Sequence, residues 1–190
     1  MSAPHLTLAS ASPRRQELLA RLGIIADAVL SADIDETPRR AELPHVYARR
    51  MAREKAEAMA VSGHVLAGDT VVALGRRILP KADDEATARH CLDLLSGRRH
   101  RVLSAIALRA PDGTLRERLS ETVVRFKVLS GEEIAAYLAS GEWEGKAGGY
   151  AIQGAAEGLV QWLQGSHSGV MGLPLFETRA LLKAAGFAVG

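Results

Sequence analysis

The segment Leu6–Leu19, LTLASASPRRQELL, sets serine hydroxyls, a proline and two adjacent arginines between an apolar run and a helical pattern. Leu6 and Leu8 predict a strand. Leu18, Leu19 and Leu22 predict a helix that begins at Pro13, with Ser12 as its hydroxyl cap and proline at the first helical position. The first turn then carries Arg14 and Arg15, although the free amides and macrodipole of a helix N-terminus favour anions. The misfit is resolved if a polyanion comes from outside. Ser10, the free amides and the forked guanidiniums of Arg14 and Arg15 together compose a phosphate site. Solvated surface charge is the other reading of the two arginines, and the segment alone leaves both open.

Further residues have chemistry at other points. Asp69, in AGDTVV, sits at the junction of two apolar runs, where a carboxylate is costly unless it is functional or bonded; a turn aspartate capping backbone amides is the alternative. Thr70 beside it also fits as an ordinary β-branched strand residue. Glu36 has Asp33 and Asp35 for neighbours, three carboxylates in four residues. They suit a hard divalent ion bound through oxygen, or a solvated acidic loop; magnesium sites that serve phosphates often use one or two protein carboxylates. Lys55, in MAREKAEAM, is by default a solvent-facing lysine paired with Glu54 or Glu57. Lys81 follows Ile78–Leu79–Pro80 at a strand end, a better place from which to aim into a cleft, or else it is an exposed turn lysine. Gln153, in GGYAIQG, can read a base edge through paired hydrogen bonds, or be a solvated loop glutamine. The six histidines lack HxxxH spacing and there is no GxSxG elbow, so neither a zinc site nor a serine hydrolase is expected.

The elements that must position these residues alternate early. Strands are expected at Leu6–Ala9 and Ala28–Ser31, and helices at Pro13–Leu22, closed by Gly23, and Val46–Val61, before Gly63. HVLAGDTVVAL predicts a strand, a break at Gly68–Asp69–Thr70, and a second strand. Gly75–Arg77 is a hairpin turn leading to Ile78–Leu79. A helix follows at Asp84–Leu95, with acids in its first turn and Gly97 past its end. Arg101–Arg109 and Leu115–Val128 flank an Asp112–Gly113 turn, a strong hairpin signal. A short helix at Glu132–Leu138 is closed by Gly141. Residues 141–172 then hold nine of the 18 glycines, which predicts loops in close approach to a ligand around a strand in Gly158–Leu163. Pro174–Ala185 is the last helix. This order of elements gives an α/β fold with a long mixed sheet, flanking helices and two lobes.

Composition narrows the classes. The 190 residues suffice for a single domain, with 47% hydrophobic and 24% charged residues. The net charge of +2 and 4% aromatic content disfavour a nucleic-acid partner, and RRHR at 98–101 is a short solvated loop or strand edge. Cys91 is the only cysteine, which excludes an internal disulfide, and its place in AxxCLDLL predicts a buried helical thiol. No apolar stretch is long enough to span a membrane and no signal peptide is evident, so a cytoplasmic protein is expected. Trp143 and Trp162 are expected to be packing residues.

Together the motifs SASPRRQELL at 10–19, DIDE at 33–36, AREKA at 52–56, AGDTVV at 67–72, LPKA at 79–82, LSGRRHRVLSAIAL at 95–108, KAGGYAIQG at 146–154 and GSHSGVMGLPLFET at 165–178 resemble the Maf family of nucleotide pyrophosphatases. They occur in order over nearly the whole chain, as one domain over residues 1–190. The resemblance implies a fold like that of the inosine-triphosphate pyrophosphatases, an elongated mixed sheet with two lobes around a cleft. It implies hydrolysis of a nucleoside triphosphate to the monophosphate and pyrophosphate with a divalent metal, Mg²⁺ or Mn²⁺, and a homodimer. Phosphate binding then falls on Ser10, Arg14 and Arg15; catalysis on Asp69, Lys55 and Lys81; and metal binding on Glu36 and Asp69. The YAIQG form resembles the dTTP/UTP branch, whose specificity positions fall on Arg14, Thr70 and Gln153. The other readings are a 7-methyl-GTP pyrophosphatase of the same family and a non-catalytic nucleotide sensor that regulates septum formation. Ala82, where the family commonly has proline after the lysine, is expected to loosen the turn that aims Lys81.

Overall fold

A computed structural model of the chain describes residues 4–190. Its centre is a seven-stranded mixed sheet in the order β2-β1-β3-β5-β6-β7, with β4 paired to β3 off this path. The strands are β1 (Leu6–Ala9), β2 (Ala28–Leu30), β3 (His64–Leu74), β4 (Arg77–Leu79), β5 (Arg99–Arg109), β6 (Leu115–Phe126) and β7 (Val160–Gln164). β1 runs parallel to β2 and β3, and the other pairings are antiparallel. The helices are α1 (Pro13–Ala20), α2 (Pro44–Glu57), α3 (Glu85–Leu95), α4 (Gly131–Ala139), α5 (His167–Met171) and α6 (Leu175–Ala184), with a 3₁₀ turn at Ala155–Leu159. The mixed sheet with flanking helices is the α/β fold expected from the order of elements.

The period of two along β3 sorts the core. Val65, Ala67, Val71 and Ala73 pack with Tyr47, Ala48, Met51, Ala52, Ala56 and Met59 of and just beyond α2. Leu66 and Val72 join the larger cluster, with Leu8, Leu18, Val102, Ile106 and Phe126. The same alternation runs along β5, so the two clusters occupy opposite faces of one sheet.

Three expectations about the elements are corrected. β3 is one continuous strand through Gly68, Asp69 and Thr70, paired to β5 from Val65↔Arg109 to Ala73↔Arg101. The glycine marks a close approach, not a break: a Cβ there would lie 3.3 Å from the Ala105 carbonyl oxygen and 3.4 Å from Arg15 Nε. α2 begins at Pro44, a proline suited to the first turn, and stops at Glu57, earlier than expected. Beyond its end, the carbonyls of Met59 and Val61 accept from Arg109 Nη2 at 2.6 and 3.2 Å. RRHR lies largely within β5, where alternation turns His100 inward and buries it.

The tryptophans divide. Trp143 is buried and donates its Nε1–H to the Leu138 carbonyl at 2.8 Å. Trp162, on the edge strand β7, is exposed, with the Arg99 guanidinium 5.1 Å from its ring centroid. Cys91 is buried in α3 as expected.

Candidate active site

The turn after β1 and the start of α1 form one wall of a cleft of about 400 Å³. Ser12 holds the N-cap position but makes no side-chain capping bond. Instead its backbone N–H donates to Ser10 Oγ at 3.2 Å, and Ser12 itself lines the cleft.

The two arginines separate. Arg15 is engaged by the protein: Nε donates to the Gly172 carbonyl at 2.8 Å, Nη1 to Ser10 Oγ at 3.0 Å and Nη2 to Thr70 Oγ1 at 3.4 Å. It ties the helix start to β3 and to the loop after α5. Arg14 lines the same cleft with no such network among the described residues, and partial burial lowers its pKa. Arg14 is therefore the guanidinium available to an incoming anion.

Adjacent residues on β3 serve opposite faces. Thr70 points away from α2 and meets Ser104, its cross-strand partner on β5, at 3.1 Å. Ser104 donates in turn to the Gly169 carbonyl. Asp69 points toward α2, is 5% exposed, and accepts from Lys55 Nζ at 2.8 Å. Lys55 is buried, contrary to its default reading as a solvent-facing residue. Helical spacing explains it: Met51, Ala52 and Met59 lie three or four residues away and all face the core, so Lys55 belongs to the buried stripe.

Glu36 completes an ionic cluster. Its carboxylate meets Lys55 Nζ at 2.9 Å and Lys81 Nζ at 2.8 Å. Burial acts to raise the Glu36 pKa, but the hydrogen bonds and charges of Lys55 and Lys81 outweigh it and hold the group at about 2. Asp33 and Asp35 do not join it. Asp35 caps its own turn by accepting from the Thr37 N–H at 2.9 Å. Among the described residues, no three or more His, Cys, Asp or Glu side chains gather to hold a metal ion. The oxygen donors that do converge are Glu36 and Asp69, drawn to one ammonium.

Lys81 is aimed by backbone bonds to the glycine-rich loop. Lys81 bridges Ala147; the Ala82 N–H donates to the Lys146 carbonyl at 3.0 Å, and the Ala82 carbonyl accepts from Gly145 at 2.8 Å. Ala82 is buried, and its N–H, which a proline lacks, supplies one of the bonds of this ladder. Gly148, at φ +69°, lets the same loop lie on β3: a Cβ there would stand 2.8 Å from Val72 Cγ1.

The loop brings Lys146, Tyr150 and Gln153 to the cleft. Gln153 is exposed on its wall. Lys146 is a cleft cation that residue-type reasoning passed over, although it opens the KAGGYAIQG motif. Burial lowers its pKa, and the nearby charge of Arg14 lowers it further. Tyr150 is buried, its hydroxyl 2.8 Å from His100 Nε2.

All nine of Ser10, Arg14, Arg15, Glu36, Lys55, Asp69, Thr70, Lys81 and Gln153 line this one cleft, though they come from distant parts of the chain. Glu36, Asp69, Thr70 and Lys81 also line an adjoining cavity of about 370 Å³. A cationic rim over a buried carboxylate suits a phosphorylated ligand and a proton transfer beside it.

Known proteins resemble the chain over its whole length. It is 67% identical to a dTTP/UTP pyrophosphatase of Novosphingobium aromaticivorans, across 98% of this chain and 94% of that protein. A dTTP/UTP pyrophosphatase of Rhodospirillum rubrum is 60% identical, across 100% of this chain and 91% of that protein. Among solved structures, a HAM1 protein from Coxiella burnetii is similar with a TM-score of 0.49 at 16% identity, covering 95% of this chain and 99% of that one. A family model described as Maf-like protein matches residues 5–185, a span that includes every side chain of the cleft. The chain belongs to the Maf family.

Proposed function

We propose that the chain hydrolyses dTTP and UTP between the α- and β-phosphates, giving the nucleoside monophosphate and pyrophosphate. The observation that carries this reading is the buried Asp69 carboxylate, held by Lys55 at 2.8 Å, beneath a cleft with a cationic rim. The relatives named above support the pyrimidine choice.

In this reading Arg14, Lys146 and Lys81 meet the phosphate oxygens, and Arg15 holds Ser10 and Thr70 in place. Asp69 takes a proton from water; the water oxygen bonds to the α-phosphorus as the bond to the bridging oxygen breaks. The electron pair leaves with pyrophosphate, whose charge the cations offset. Glu36 and Asp69 present hard oxygen donors that here meet the Lys55 ammonium; Mg²⁺ or Mn²⁺ would be held by these two carboxylates in exchange for those lysine contacts. Such an ion supplies further neutralisation of the phosphate charge. Arg14, Thr70 and Gln153 select the nucleotide, Gln153 by its amide edge.

Among the described residues, no helix is long and apolar enough to cross a membrane. We assign the protein to the cytoplasm, alongside the nucleotide pool. The test is pyrophosphate release from dTTP, UTP, CTP, GTP and 7-methyl-GTP with Mg²⁺. Turnover of dTTP and UTP over the others is expected. Exclusive turnover of 7-methyl-GTP overturns the base assignment, and binding without pyrophosphate release replaces the enzyme with a sensor.

A further inference from the structure

The segment from Ser31 to Leu43 contains no helix or strand, yet Glu36 at its centre holds two lysines at hydrogen-bond distance. An irregular loop needs outside contacts to present one carboxylate so narrowly. They come from one side of α2. Tyr47 donates its hydroxyl to the backbone carbonyl of Glu36 itself at 2.7 Å. Arg50 donates Nη2 to the carbonyl of the next residue, Thr37, at 3.1 Å. The same guanidinium grips Glu42, near the loop's far end, with Nε and Nη2 both at 2.7 Å. Its remaining nitrogen, Nη1, reaches Glu54 at 3.2 Å. Tyr47 and Arg50 are three residues apart, and so share a helix face; the guanidinium lies 5.4 Å from the Tyr47 ring centroid.

The Arg50 and Glu42 side chains are each only 5% exposed. A buried ion pair adds little net stability over a well-packed apolar pair, because both charges are desolvated. Its best-attested benefit is selection of one conformation. In the structure the loop stands in the conformation that brings Glu36 to Lys55 and Lys81. Arg50 itself lies outside the lining of the cleft.

We propose that Arg50, together with Tyr47, is a positioning residue for the reaction: it clamps the acidic loop so that the Glu36 carboxylate stands between Lys55 and Lys81. The catalytic part of this inference rests on the pyrophosphatase reading above; the clamp itself does not.

The test compares an apolar replacement of the pair, Arg50→Met with Glu42→Leu, with the single change Tyr47→Phe. Exchanges of the first kind leave stability near its original value. With dTTP or UTP, kcat is expected to fall by about tenfold or more in the double variant and by about threefold in Tyr47→Phe, because small misplacements of a reacting constellation are costly. KM should change by less than about twofold. Amide exchange over residues 33–43 should quicken by about tenfold while β3 and β5 keep their protection. A purely structural pair would lower the melting temperature and leave kcat of the folded protein unchanged, which overturns the proposal. So does unchanged exchange in the loop. If the double variant does not fold, Arg50→Lys decides in its place, since it keeps the charge and loses the fork; original loop exchange in both Arg50→Lys and Tyr47→Phe overturns the clamp. If the unaltered protein releases no pyrophosphate from any triphosphate, the functional reading fails, and loop exchange still decides the clamp.

Discussion

The two faces of β3 reach the same cleft with different chemistry. On the α2 face, Asp69, Lys55, Glu36 and Lys81 form an ionic cluster with contacts of 2.8–2.9 Å. On the opposite face, the neighbouring Thr70 meets Ser104, Arg15 and the backbone of the segment after β7, through hydroxyls, carbonyls and one guanidinium. His100 lies on that second face too, since it shares the parity of Val102 and Ile106 on β5. A single step along an extended chain thus separates charge that can take part in a reaction from hydrogen bonds that hold a shape. The lesson is that the AGDTVV motif is two half-sites, one for each face.

The largest effect should come from the ionic face. Asp69→Asn keeps the shape and removes the proton acceptor, so kcat should fall at least about 100-fold. Pyrophosphate release near the original rate would remove Asp69 from its role. Next is Arg15→Lys on the other face. It keeps a charge but loses the fork that joins Ser10, Thr70 and Gly172, and about 3 kcal/mol of stability should go with it, read by urea denaturation. Arg14→Lys should instead weaken nucleotide binding with little change in stability; the reverse pattern would mean that the two arginines had been assigned the wrong way round.

The faces should also differ with pH. Glu36 is held at about 2, below its ordinary value of 4.5. Its contribution is complete above pH 4.5 and is lost as pH falls through 2, so the ionic cluster outlasts mild acid. Burial lowers the His100 pKa from 6.5 to about 4. Between those values the unfolded chain binds the proton and the folded chain does not. The His100 contribution to stability should therefore decline as pH falls from 6.5 to 4, by roughly 3 kcal/mol at most, and change no further below that, where the loss of Glu36 takes over. Melting curves across this range check it, and His100→Gln should flatten the slope. A slope that survives this substitution assigns the titration to another group. The smallest expected effect is Thr70→Val, which leaves Arg15 and Ser104 short of one hydroxyl at a cost of about 1 kcal/mol.

Local signals served well where a short segment decides its own conformation. The helix expected from Asp84 to Leu95 forms over Glu85–Leu95, with Asp84 as its cap accepting from the Thr87 N–H at 2.7 Å, and the Asp112–Gly113 turn joins β5 to β6 as the residues predict. Signals failed where a distant partner set the outcome. Gly68 looked like a break because nothing nearby shows that Arg15 and β5 close over it. Lys55 looked solvated because its glutamate neighbours are visible in the chain while Asp69 and Glu36 are not. Its spacing from Met51 and Met59 held the better clue.

The sequence alone determined the kind of site: paired arginines at a helix start, an aspartate within an apolar run, an acidic loop, and motifs whose order identifies the family. Those are properties of residue types and spacing, written in the chain itself. Only the tertiary structure decided which of the two cleft arginines is tied to the protein by hydrogen bonds, why Lys55 is buried, and what holds Glu36. Each of those depends on groups separated by many residues, brought together by strand register and helix packing. Hydrogen bonds and ion pairs act over a few ångströms in space, and distance along the chain carries no record of them.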